Sequence, residues 1–117
     1  MSEYRLEGLN QPIQSEMSVH HKVLTSFVFK SVADKEWFLD LLRGDNGLVI
    51  TRTAKGYVDL ELCVSNLNDR QVIAWSTWES QADHEAYMQH RKDSGLFDEV
   101  VGRLEGELEV NRLTHLL

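Results

Sequence analysis

Val72, Ile73, Ala74 and Trp75 are apolar at four consecutive positions. Side chains of a β-strand alternate between two faces, so a strand built from them needs apolar cover on both sides. The runs Val23 to Lys30 and Leu48 to Ile50 have the same two-faced character. Helices can cover one side. Trp37, Phe38, Leu41 and Leu42 fall at i, i+1, i+4 and i+5, and Leu96, Phe97, Val100, Val101 and Leu104 repeat in the same way, each set forming one stripe of an amphipathic helix. No further apolar helix remains for the second side. The same sheet of a second copy is the expected cover, and the patterning therefore points to a homodimer.

Punctuation residues set the element order. Residues 1–19 hold the sole proline, Pro12, and no sustained periodicity, and read as an extended N-terminal arm suited to packing on a partner subunit. Residues 20–117 form a single domain. A strand over Val23 to Lys30 leads to a helix capped by Ser31 or Asp34 and ended by Gly44, with Asn46-Gly47 as a turn. Leu48 to Ala54 reads as a second strand. Lys55-Gly56 makes a short hairpin connection into Tyr57 to Ser65, and Asn66 to Arg70 turns the chain back into Gln71 to Thr77, so these three strands form a meander. Ser80 caps a polar helix over Gln81 to Arg91, in which Ala82, Ala86 and His90 share a face and Tyr87 flanks it. Asp93-Ser94-Gly95 starts the next helix, Gly106 stops it, and Glu107 to Leu116 is the last strand. Strands and helices in this order suit an α+β sandwich, an antiparallel sheet with helices on one face.

Composition narrows the function. Twelve Lys and Arg against nineteen Asp and Glu leave a net charge of −7, which repels phosphate backbones and anionic membrane surfaces and argues against a nucleic-acid partner. No apolar run approaches the roughly 20 residues that cross a bilayer, and the polar start Met1 to Arg5 lacks a signal peptide's apolar core, so a cytoplasmic protein is expected. Cys63 is the only cysteine; inside a strand it is expected to be a buried small hydrophobe. No metal site is expected: His20 and His21 point to opposite faces of a strand, His84 and His90 lie six apart on different helix faces, and His115 stands alone.

The element order, the apolar strand ending in Trp78-Glu79-Ser80, Ala82 in the first helical turn and the later Phe97 resemble an antibiotic biosynthesis monooxygenase domain. The resemblance covers roughly residues 20 to 116 and implies a ferredoxin-like fold pairing into a dimeric α+β barrel. It also implies a pocket between sheet and helices, large enough for a flat apolar molecule. Chains with this fold include cofactor-independent monooxygenases of aromatic polyketides, haem-degrading enzymes and proteins that handle small quinones. Tyr87 and Val101 stand where haem-degrading relatives place a tryptophan and the iron-ligating histidine, which disfavours haem. Asn46-Gly47 replaces the Pro-Gly common before the second strand.

The resemblance thus implies a small monooxygenase that needs no cofactor and oxidises an aromatic or quinone-like molecule. Trp78 would be the aromatic wall, with Tyr87 and His90 as polar catalytic groups and Arg52, Trp37 and Phe97 lining the substrate pocket. Each has a plainer reading: Trp78 as a packing plug, His90 as a solvated helix residue, and Arg52 as a cross-strand partner of Asp59 or Glu61. The alternative reading of the whole is a ligand-binding or interaction module of the same fold, without catalysis.

Overall fold

A computed structural model describes residues 20–116; the N-terminal arm expected over residues 1–19 lies outside them. The elements are β1 (His21–Val28), α1 (Val32–Arg43), α2 (Leu48–Arg52), β2 (Tyr57–Val64), β3 (Gln71–Trp78), α3 (Gln81–Asp93), α4 (Leu96–Gly102) and β4 (Glu109–Thr114). The strands form one antiparallel sheet in the order β2-β3-β1-β4. Four antiparallel strands with the helices on one face make a ferredoxin-like α+β sandwich.

Local chemistry explains the helix boundaries. Ser31 Oγ accepts the backbone N–H of Asp34 at 3.0 Å, and Ser80 Oγ accepts that of Asp83 at 3.1 Å, so α1 and α3 start on side-chain caps. Helix α4 starts at Gly95, whose φ of 83° lies in the left-handed region, and it has no side-chain cap. It ends before Leu104, which instead forms an isolated bridge with Phe29 and is buried there.

The second expected strand does not form. Leu48 to Ala54 enters a five-residue helix, α2, followed by a turn, so the expected three-stranded meander reduces to the β2–β3 hairpin. Gly47 is the cause nearest at hand. It is buried where the chain folds back on the end of α1, and a Cβ there would sit 2.3 Å from the Leu42 carbonyl oxygen and 2.4 Å from that of Leu41. With the chain turned so sharply, Leu48 and Thr51 point inward three residues apart while Val49 is exposed, a helical spacing.

Alternation divides the sheet cleanly. Val23, Thr25 and Phe27 of β1 and Val72, Ala74, Ser76 and Trp78 of β3 face the helices, paired Val23 to Ser76, Thr25 to Ala74 and Phe27 to Val72. At one end Phe29, Phe38, Val72, Val100 and Leu104 close into a buried core. Within it the Phe38 ring lies 4.7 Å from Phe27 and 5.1 Å from Phe29. The opposite face carries Leu24, Val28, Ile73, Trp75 and Leu113 among polar side chains. On that face Lys22 Nζ donates to Thr77 Oγ1 at 2.8 Å and lies 5.6 Å over the Trp75 ring, and Gln71 Nε2 donates to Ser26 Oγ at 2.9 Å. Cys63, expected to be buried, is exposed, because β2 is an edge strand and the thiol alternates with Leu62 onto this open face.

Gly47→Ala should destabilise the fold by roughly 2–4 kcal/mol, since backbone must move to admit the methyl group. At Gly44 an added Cβ meets only atoms 3.6 Å away or farther. Thermal unfolding of Gly47→Ala and Gly44→Ala side by side checks this; equal melting temperatures would refute the close-approach account.

Candidate functional site

Between the helix-covered face and the helices lies a cavity of about 340 Å³. That is the lower part of the range for small-molecule sites, room for two or three fused rings. Its floor is sheet, with Leu60 and Leu62 of β2, Ala74 and Ser76 of β3, Thr25 of β1 and Val110 of β4. Its roof is largely α3, which presents His84, Tyr87, Met88 and Arg91 at i, i+3, i+4 and i+7, one face of a helix.

Trp78 closes one end. It is 1% exposed, and its ring lies 5.9 Å from Tyr57, 5.4 Å from His84 and 5.0 Å from Tyr87. Its indole N–H is already used, donating to Ser76 Oγ at 3.1 Å, and that hydroxyl in turn donates to the Val23 carbonyl at 3.4 Å. The ring therefore offers the cavity a face and an edge but no donor.

Arg91 builds a polar corner. Its Nε donates to Tyr87 Oη at 2.8 Å, its Nη2 to Thr51 Oγ1 at 3.0 Å and to the Gly47 carbonyl at 2.9 Å, and its Nη1 to the Asn46 carbonyl at 2.6 Å. Tyr87 Oη and Thr51 Oγ1 are 2.7 Å apart and share a hydrogen bond. Two hydroxyl groups carry two protons, and the bridge uses one. The other can point to a ligand, from oxygens polarised by the same guanidinium. The clamp also ties α2 to α3, which accounts for the helical state of the Leu48–Arg52 segment.

His84 is 4% exposed, and its Nδ1 is buried without a hydrogen-bond partner. Burial, then the positive charge of Arg112, then the neighbouring His21, push its pKa down to about 4, against a smaller opposing effect of Glu85. The imidazole is thus neutral at neutral pH and can accept a proton. His21, its ring 6.2 Å away, is shifted in the same direction by burial and Arg112, and its Nε2 is also buried and unpaired. Among the described residues no three His, Cys, Asp or Glu side chains gather in a way that would hold a metal ion.

The residues singled out from sequence divide in two. Trp78, Tyr87 and Phe97 line the cavity. His90 is exposed on the outer side of α3, beside a separate depression bordered by Ile50 and Glu99. Arg52, expected on a strand opposite Asp59 or Glu61, ends helix α2 and is exposed. Trp37 packs against the core outside the cavity, with the Arg103 guanidinium 3.9 Å over its ring. Thr51, His84, Arg91 and Arg112 line the cavity and were not singled out. The signal for two of them is the helical spacing of His84, Tyr87, Met88 and Arg91, hidden because the small apolar residues Ala82 and Ala86 lie on the exposed face.

No family model matches this sequence, and no curated protein does. Solved structures do. A conserved protein from Methanosarcina mazei superposes with a TM-score of 0.71 at 13% identity over 84% of this chain and 94% of the other. A monooxygenase from Streptomyces coelicolor, solved with the ligand nanaomycin D, gives 0.69 at 17% identity over 84% and 88%. A dimeric ferredoxin-like protein from an uncultured marine organism gives 0.68 at 13% identity over 87% and 92%. The chain has the fold of the antibiotic biosynthesis monooxygenases, at identities that establish architecture alone.

The histidine pKa has a thermodynamic consequence. An unfolded histidine binds its proton near pH 6.5, whereas folded His84 does so only near pH 4. Between these values the unfolded state holds more protons, so the His84 contribution to stability falls as pH drops from about 6.5 to about 4 and is flat above. His21 acts in the same sense. Unfolding midpoints measured across this range should show a shallower slope for His84→Gln than for the native chain; identical slopes would contradict a buried neutral imidazole.

Proposed function

We propose that this chain is a small monooxygenase acting on a flat aromatic substrate held in the cavity between the sheet and α3, without a prosthetic group. The observation that carries this reading is the composition of that cavity: an apolar slot with the aromatic face of Trp78 at one end, a spare hydroxyl proton at the Thr51–Tyr87–Arg91 corner and a neutral, unpaired imidazole at His84. These are the parts needed to ionise a phenol or anthrone. His84 takes the proton, and the Thr51–Tyr87 hydroxyls, polarised by Arg91, donate to the oxygen on which charge builds. The resulting anion is electron-rich enough to reduce O2. For an anthrone methylene, one oxygen atom ends as the carbonyl and the other as water. The substrate supplies all four electrons, so the reaction balances with no other reductant. A Streptomyces coelicolor monooxygenase of the same fold was solved in complex with nanaomycin D, which supports a small-molecule ligand for this fold.

The working unit in this reading is a homodimer joined through the open sheet face. Leu24, Val28, Ile73, Trp75 and Leu113 form an apolar surface there that no other described element covers, and a neighbour of the same fold is dimeric. A binding module without turnover would use the same cavity, and its signature is stabilisation by planar compounds with no oxygen uptake.

Two experiments test the proposal. Purified protein should consume O2 with a model anthrone, and His84→Ala should lower kcat by about 100-fold, the usual scale for losing a general base. Uptake no faster than buffer across a panel of anthrones and hydroquinones would rule out the oxygenase reading. Light scattering should give the mass of two chains for the native protein and of one for Trp75→Glu; a monomeric native protein at micromolar concentration would contradict the open-face dimer.

A further inference from the structure

The chain carries a net charge of −7, yet its cavity wall has the opposite sign. Arg91, Lys92 and Arg112 line the cavity, and among the described residues no Asp or Glu does. Two of these cations are engaged within the fold. Arg91 makes the four donations of the polar corner, and Lys92 Nζ lies 5.5 Å over the Phe97 ring. Arg112 makes no hydrogen bond or ion pair with any described residue.

The register explains where Arg112 sits. On the helix-covered face it pairs with Val23, which pairs in turn with Ser76, so Arg112, Val23 and Ser76 form one row across β4, β1 and β3. His84 lies against the neighbouring row, its ring 6.2 Å from His21 and 5.4 Å from Trp78, which pair with each other. The Arg112 charge reaches both His84 and His21, and at both it outweighs Glu85, whose exposed carboxylate already accepts from Gln81 Nε2 at 2.8 Å. His84 Nδ1 and His21 Nε2 are buried and unpaired at this same corner. Its polarity is therefore unspent inside the fold. The two imidazole nitrogens are buried and the Arg112 guanidinium beside them is exposed at the edge of the cavity; a cationic rim of this kind suits an anion, and a guanidinium prefers the planar geometry of a carboxylate.

We infer that the cavity selects acidic aromatic molecules, with the rings in the apolar slot beside Trp78, a carboxylate paired to Arg112, and a hydroxyl or carbonyl at the Thr51–Tyr87–Arg91 corner. The inference rests on the proposed use of the cavity as a ligand site and adds the charge class of the ligand. It does not depend on turnover. His84 remains free to take a ring proton, and the carboxylate gives the substrate a fixed orientation between two unlike polar ends.

Isothermal titration of the full chain with 2-naphthoate and with its neutral isostere 2-naphthamide tests this directly. The acid should bind about tenfold more tightly than the amide at low salt, and the preference should shrink as salt is added. Arg112→Gln should bring the two affinities together by weakening the acid alone, and Arg112→Lys should restore part of the difference. Because Arg112 is exposed on an edge strand, both variants should fold, which their melting curves verify. An amide that binds as tightly as the acid, or a preference that survives Arg112→Gln, would overturn the inference while leaving the cavity as the ligand site. Failure of both compounds to bind would overturn the inference and the site together. Oxygen uptake by the native chain with a neutral anthrone is read separately: uptake without acid preference upholds the oxygenase reading alone, and acid preference without uptake upholds this inference alone.

Discussion

The antiparallel pairing of β1 with β3 is the contact from which the rest of the structure hangs. It runs unbroken from His21 opposite Trp78 to Val28 opposite Gln71, and it supplies three of the four largest fully buried side chains, Val23, Val72 and Trp78; the fourth, Phe29, follows directly on β1. Both strands are central, so each has a neighbour on either side and its side chains divide strictly between two faces. One face takes the helices. At the Phe29 end the helices pack down into a filled aromatic core, while toward Trp78 the smaller Thr25, Ala74 and Ser76 leave the space that α3 roofs over. The cavity is thus a consequence of small residues in the middle of a well-packed sheet.

A cavity lined mainly by apolar side chains would be an inert void were it not for two polar ends. At one, a single guanidinium fixes two hydroxyls and two backbone carbonyls, joining α2 to α3. At the other, burial holds His84 neutral beside the charge of Arg112. These ends differ in kind. The first donates hydrogen bonds without changing its own charge; the second can take up a proton or meet a negative group. In the proposed use of the cavity such a difference orients an asymmetric planar ligand, and so decides which ring position faces His84.

Much of this was legible in the residues. The capping serines Ser31 and Ser80, the turn over Asn66 to Arg70 and the strand ending in Trp78 all mark their elements by local chemistry that tertiary packing does not override. Leu48 to Ala54 was not legible. Its β-branched residues favour a strand, and in so short a run helical and extended periodicity cannot be told apart. The deciding facts were non-local: the close approach of Gly47 to the α1 carbonyls and the hydrogen bonds of Thr51 to Tyr87 and Arg91. The site was half legible for a related reason. On α3 alanines suggested the inward face, but the helix turns them outward and turns inward a buried histidine, a half-buried tyrosine and a half-buried arginine, whose polar atoms find partners or purpose only across the fold. Arg112 carries no local signal at all, since its importance comes from a register with β1 and from α3 above it.

The central proposal puts the ligand on the helix-covered face and a partner chain on the open face. Intermolecular nuclear Overhauser effects between bound 2-naphthoate and the protein separate the two faces directly. The account predicts contacts from the ligand rings to Trp78, Tyr87, Met88 and Leu62, with Trp75 silent. Contacts confined to Trp75, Leu24 and Ile73, with the cavity side chains unaffected, would contradict it.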